Sequence, residues 1–116
     1  MQYLLLIYDN ESQWGKLPQA EQDGIIKEYR ELTQSITQSG NYKGGNQLHP
    51  VAQATTVRVR DKKRLVTDGP FAETKEQLGG YYLIEAKDLD EAVAIAARVP
   101  SARYGSIEVR PIVVRS

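Results

Sequence analysis

The chain has no cysteine, which excludes disulfides, zinc–thiolate centres and thiol nucleophiles. That absence fits a reducing compartment. Histidine occurs once, as His49, and scattered carboxylates do not supply the remaining ligand spacing of a transition-metal site. Neither sign of charge is in excess, since 15 basic residues balance 15 acidic ones. A general nucleic-acid binder carries a basic surplus, so nucleic acid is not an expected partner. Long apolar runs are missing too. The start, MQYLLLIYDN, is too short to span a bilayer and lacks the basic head and small-residue exit of a secretion signal. A cytoplasmic protein without membrane association is expected.

The 116 residues suffice for one domain with its own core. No linker, low-complexity run or fixed-period repeat interrupts them, so residues 1–116 read as a single domain. Tyr3 to Tyr8 is apolar on both alternating faces, as in a strand at the middle of a sheet. A polar loop with Trp14, the only tryptophan, follows. Pro18 suits a helix start, and Ile25, Tyr29, Leu32 and Ile36 form an amphipathic stripe that Gly40 ends. Gly44 to Pro50 reads as a short strand. Ala54 to Arg60 alternates, turns at Asp61-Lys62-Lys63 and returns over Arg64 to Thr67 as a hairpin. Tyr81 to Ile84 begins a second central strand. Asp88 with Glu91 forms a capping box, Leu89 to Val99 carries a helical stripe, and Pro100 stops it. Ile107 to Val114 is a last strand, placed at an edge by Pro111.

Two strand–helix–strand units sharing one antiparallel sheet make a ferredoxin-like α+β sandwich, here with an added hairpin. Two helices cover one face only. Yet Tyr3, Leu5 and Ile7 point to one side and Leu4, Leu6 and Tyr8 to the other, so the second face needs a cover, and a second copy of the chain supplies it. A homodimer is the expected assembly.

The run VTDGPFAETKEQLGGYYLIEAKDLDEAVAIAARVP, followed by GSIEVRPI, resembles the DGPF branch of the YCII-related family. YLLLIY and the helix after Pro18 extend the likeness over nearly the whole chain. The resemblance implies a ferredoxin-like fold assembled as a dimeric α/β barrel. Some family members sit beside extracytoplasmic-function sigma factors, and the wider family includes a dechlorinating enzyme of chloroaromatic breakdown with a proposed His/Asp site. Asp68 is the counterpart of that aspartate. The histidine has none, because the stretch Asp9 to Trp14 lacks one. The hairpin turn also departs from the branch, with Asp61-Lys62 where Asp-Gly is common.

Each candidate site residue has two readings. Asp68, before Gly69-Pro70, either caps a turn by accepting the amide of Phe71 or Ala72, or acts as an acid–base group at a strand end. His49 is a surface loop residue or the second half of a dyad with Asp68. Arg58 clamps a substrate carboxylate if its strand face lines the site, and is otherwise an edge charge. Glu73, Lys75 and Glu76 have the spacing of one helical turn, either solvated or forming a lid whose Lys75 holds an anion. Tyr82, one of four tyrosines on the central strands, packs the core or lines an aromatic-substrate pocket that Trp14 closes. The leading expectation is cofactor-independent acid–base chemistry on a small anionic or aromatic molecule. The alternative is a non-catalytic binding or regulatory module, working with a sigma factor or another partner.

Overall fold

The computed structural model describes residues 1–115. Strand β1 (Gln2–Asp9) leads through a single helical turn, α1 (Glu11–Trp14), into the long helix α2 (Gln19–Gln38). Strand β2 (Tyr42–Gln47) follows, then a 3-10 turn at Val51–Gln53 and the hairpin strands β3 (Thr55–Arg60) and β4 (Lys63–Asp68). Strand β5 (Gln77–Glu85), helix α3 (Leu89–Ala96), a 3-10 turn at Pro100–Arg103 and strand β6 (Ser106–Pro111) complete the chain. The main sheet is antiparallel with order β2-β5-β1-β6, the ferredoxin-like order. Pro111 lies on the edge strand, where its missing N–H costs least.

The helix signals act as their chemistry requires. Helix α2 ends in a Schellman motif: Gly40 adopts φ +81°, its amide bonds Thr37 O at 3.1 Å, and Asn41 N reaches Ile36 O at 2.9 Å. Asp88 accepts the Glu91 amide at 2.9 Å, while the Glu91 carboxylate reaches back to Lys87 N at 3.2 Å. Alternation along the central strands sends Tyr3, Leu5, Ile7, Tyr82 and Ile84 under the helices. There they pack with Leu32 and Ile36 of α2 and with Ala92, Ile95 and Ala96 of α3. Leu4, Leu6, Tyr8, Tyr81 and Leu83 form the opposite face, which no element among the described residues covers. No helix among the described residues is long and apolar enough to cross a membrane.

Several boundaries and one element differ from expectation. The second strand runs Tyr42–Gln47, not Gly44 to Pro50, because Tyr42 pairs opposite Ile84 and continues the core row. The last strand stops at Pro111, not Val114; after one more bond, Ile112 N to Gln2 O at 2.9 Å, Val113 and Val114 stand exposed. Glu73 to Glu76 is not helical. An isolated turn with no apolar face has nothing to offset helix nucleation. Side chains bond the local carbonyls instead, Thr74 Oγ1 to Glu76 O and Gln77 Nε2 to Thr74 O, both at 2.6 Å.

The β3–β4 hairpin forms its own two-stranded ribbon, outside the main sheet. Register places Val57, Val59 and Val66 on one side, and Arg58, Arg60 and Lys63 with Leu65 on the other. Val59 is 60% exposed. At the tip, Asp61 (φ 52°) and Lys62 (φ 64°) make a left-handed turn that glycine adopts without strain. Lys62→Gly relieves about 1 kcal/mol of that cost. Hydrogen exchange of the ribbon amides is therefore expected to slow about five-fold, and unchanged rates would refute strain at the tip.

Candidate functional site

A cavity of about 860 Å³ opens between the N-terminal half of α2 and the β2–β5 side of the sheet. Gly45 and Gly80 make its floor possible. Both lie on the helix-facing side, where neighbouring positions carry Tyr82 and Ile84. A Cβ at Gly45 would stand 3.0 Å from Tyr82 Cδ1, and one at Gly80 2.9 Å from Asn46 O. Side chains there would jam the strands as well as fill the space. The roof is Gln22, Ile25, Ile26, Tyr29 and Thr33 of α2; α1 and its loop form one end, with Trp14 at the rim. Gln22 Nε2 braces that loop by donating to Trp14 O at 3.0 Å and Leu17 O at 3.2 Å.

A chain of hydrogen bonds crosses the inner wall. Ser101, in the 3-10 turn after α3, is only 5% exposed. Its hydroxyl donates to Asp9 Oδ2 at 3.0 Å. A serine hydroxyl has one proton, so the 2.6 Å contact between Tyr29 OH and Ser101 Oγ must have tyrosine as donor. The order is Tyr29 to Ser101 to Asp9. A second relay runs alongside: Thr33 Oγ1 donates to Tyr29 O at 2.9 Å, which leaves Tyr82 OH to donate to Thr33 at 2.8 Å. The Tyr82 ring meets Tyr42 edge-on, with centroids 6.1 Å apart. Burial pushes both Tyr29 and Tyr82 above the ordinary tyrosine value; the bond to Ser101 draws Tyr29 back, and the Asp9 charge raises it further. The chain can pass a proton along its length or hold Asp9 rigid toward a guest. Ser101 is not poised as a nucleophile, since a carboxylate rather than an imidazole receives its proton.

The cavity gathers Tyr82 and Trp14 of the residues singled out in the sequence. Asp68, Arg58 and Lys75 lie outside its lining, exposed on the ribbon or the loop after it. His49 sits beside a separate shallow recess with Gln47, Leu48 and Pro50. No hydrogen bond joins His49 to Asp68 among the described residues. The DGPF turn is not capped by the Asp68 carboxylate either. Gly69, at φ +94°, bonds Ala54 O through its amide at 2.7 Å and receives Thr56 Oγ1 at 2.8 Å. Arg58 Nη2 spans 3.5 Å to Phe71 O, and the Phe71 ring is 77% exposed.

Asp9, Tyr29 and Ser101 were not singled out. Asp9 does have a signal: it is the next member of the helix-facing row Tyr3, Leu5, Ile7, a carboxylate where a fourth apolar residue belongs. Tyr29 counts as core in the α2 stripe. Ser101 has no signal, because it meets Asp9 only across 92 positions of chain.

The YCII-related domain model matches residues 1–115. The chain belongs to the YCII-related family. It is 36% identical over 114 residues to an uncharacterized protein of Rhizobium meliloti (strain 1021), covering 97% of this chain and 92% of that relative. Its fold is also similar to a 5-chloro-2-hydroxyhydroquinone dehydrochlorinase from Burkholderia phenoliruptrix, solved in complex with 2,5-dihydroxybenzoquinone. The TM-score is 0.55 at 14% identity, over 97% of this chain and 93% of that one. At that identity the likeness speaks for the fold, which this YCII-related protein shares.

The buried tyrosines set an alkaline limit to stability. Tyr29 keeps its proton in the fold above 10.0, where the unfolded chain loses it. Stability is therefore full below about pH 10 and falls as pH rises beyond it. The urea midpoint of the wild type is expected to drop between about pH 9 and pH 11, and Tyr29→Phe to drop less. Equal losses in the two proteins would remove Tyr29 as a cause.

Proposed function

We propose that this YCII-related protein is a homodimer whose cavity binds a small aromatic molecule, on which the Tyr29–Ser101–Asp9 chain carries out cofactor-independent proton transfer. The observation that carries the reading is the cavity itself. Aromatic rings of Trp14, Tyr29, Tyr42, Tyr82 and Tyr104 line it, and one hydrogen-bonded polar wall ends at a carboxylate. A ring-shaped guest fits such a lining, with the polar wall to orient it. The ring compound carried by the dehydrochlorinase of the same fold supports this class of guest. Lysine, arginine and histidine are absent from the lining, so the anionic version of the expectation lacks a counter-charge. In this reading Trp14 and Tyr82 face the guest, and Asp9 takes the acid–base role considered for Asp68 and His49. A cytoplasmic setting is part of the proposal, supported by the lack of cysteine.

The dimer is supported by the uncovered face of Leu4, Leu6, Tyr8, Tyr81 and Leu83, an apolar sheet surface of the kind that proteins cover. A second reading, a non-catalytic module that docks a protein partner, is favoured by the exposed valine side of the ribbon together with Phe71. Sedimentation equilibrium is expected to return about twice the 13.0 kDa chain mass; a monomer in dilute solution would refute the dimer.

The pocket reading is tested by thermal shift with a panel of phenols, quinones, aromatic amines and aromatic acids. A binder at ten times its Kd adds about 1.4 kcal/mol, roughly 4–8 °C for a domain near this size. Ile26→Trp fills the mouth without touching the polar wall and is expected to abolish the shift. If no compound stabilises the protein, or if the shift survives Ile26→Trp, the cavity is not the binding site.

A further inference from the structure

We infer that the guest of this cavity is a cation, an arylalkylamine in its ammonium form or an alkylated ammonium, held between Asp9 and the ring-lined walls. The inference rests on the pocket reading above and names the charge of its ligand. Among the described residues, the charged side chains in the lining are Asp9 and Glu11, both acidic. Glu11 accepts the Val51 amide at 3.1 Å, a bond to a neutral donor that leaves its charge in place. Asp9 Oδ2 receives Ser101, and Oδ1 receives no donor among the described residues. That free oxygen faces the strand at Gly79, where a Cβ would stand 3.8 Å away.

Asp9 is half-buried and its Oδ1 still reaches water, so an ammonium entering the cavity can take that place with charge and N–H together. An anionic guest would face two like charges in a cleft with reduced solvent screening. A neutral guest would cover Asp9 without pairing its charge. The walls favour the same answer. Tryptophan and tyrosine faces attract cations through their quadrupoles, and desolvation strengthens the attraction. The rim already shows this chemistry: the Arg103 guanidinium lies 5.4 Å from the Tyr104 ring centroid. Arg103 is not itself available to an anionic guest, because Glu28 holds it through two bonds of 2.8 and 2.9 Å.

Three probes with one skeleton and different charge decide the matter: tyramine, tyrosol and 4-hydroxyphenylacetate. Isothermal titration of the full chain is expected to show tyramine binding at least about ten-fold tighter than tyrosol, with no binding of the acid at millimolar concentration. Asp9→Asn is expected to bring tyramine down to the affinity of tyrosol while leaving tyrosol within about two-fold. Should that variant not fold, raising KCl from about 0.05 to 0.5 M on the wild type tests the same charge, weakening tyramine and sparing tyrosol. Trp14→Leu is expected to weaken tyramine more than tyrosol. If tyrosol or the acid binds as tightly as tyramine, the cation inference is overturned and the pocket stands. If all three fail to bind while another panel compound binds in the cavity, the cation inference fails alone. If no compound binds there, both readings fall.

Discussion

The antiparallel ladder between β1 and β5 is the constraint on which the rest of the molecule depends. It joins the two most apolar strands at the middle of the sheet, and its register decides which side chains meet the helices. A slip of one residue would turn Tyr3, Leu5 and Ile7 outward and expose the row the helices now cover. The same row ends in Asp9, opposite Gln77 and beyond the register shift between Ile7 and Tyr8. The carboxylate therefore stands at the helix-facing edge of the core and not out in solvent. Pairing of β6 with β1 brings the turn before β6 to that point, and Ser101 with it. Gly105 completes the approach: any side chain there would collide with the Tyr8 carbonyl and with Asp9.

Core and cavity arise from how closely each helix approaches the sheet. Helix α3 lies against β6, with Ala92 and Ala96 in the core cluster, and small side chains permit dense packing. Helix α2 contributes buried side chains to the core cluster from its second half, through Leu32 and Ile36. Toward its start it faces Gly45 and Gly80, which offer no side chains to fill the gap. What would be a void between two elements is lined by tyrosines, two of whose hydroxyls are bonded within the wall. Tyr29 and Tyr82 donate inward, to Ser101 and Thr33, and their rings are left to form the surface a guest would touch.

The ribbon obeys a different rule. Two strands alone bury almost nothing, and both sides of β3–β4 are largely exposed, valines with Arg64 on one and Arg58, Arg60 and Lys63 with Leu65 on the other. The DGPF turn at its base is nonetheless well made, tied through Gly69 to Ala54 and Thr56. Phe71 stands exposed beside that structured base.

The amino-acid sequence by itself determined the fold class, the two helices with their stops, the central strands, the hairpin and the family. Those properties are written in short-range terms: period two along β1 and β5, period near four along α2, Gly40 and Pro100 as stops, and the motif from Asp68 to Gly80. For Tyr82 and Trp14 it left core packing and pocket lining both open, since an aromatic side chain on a central strand or the loop beside it serves either. The tertiary structure alone decided the polar wall. Tyr29, Ser101 and Asp9 belong to three separate elements, and no local pattern relates them until strand order places the ends of β1 and α3 together. It decided as well that Gly45 and Gly80 underlie a cavity, because an empty volume belongs to the elements around it and has no residue of its own to read.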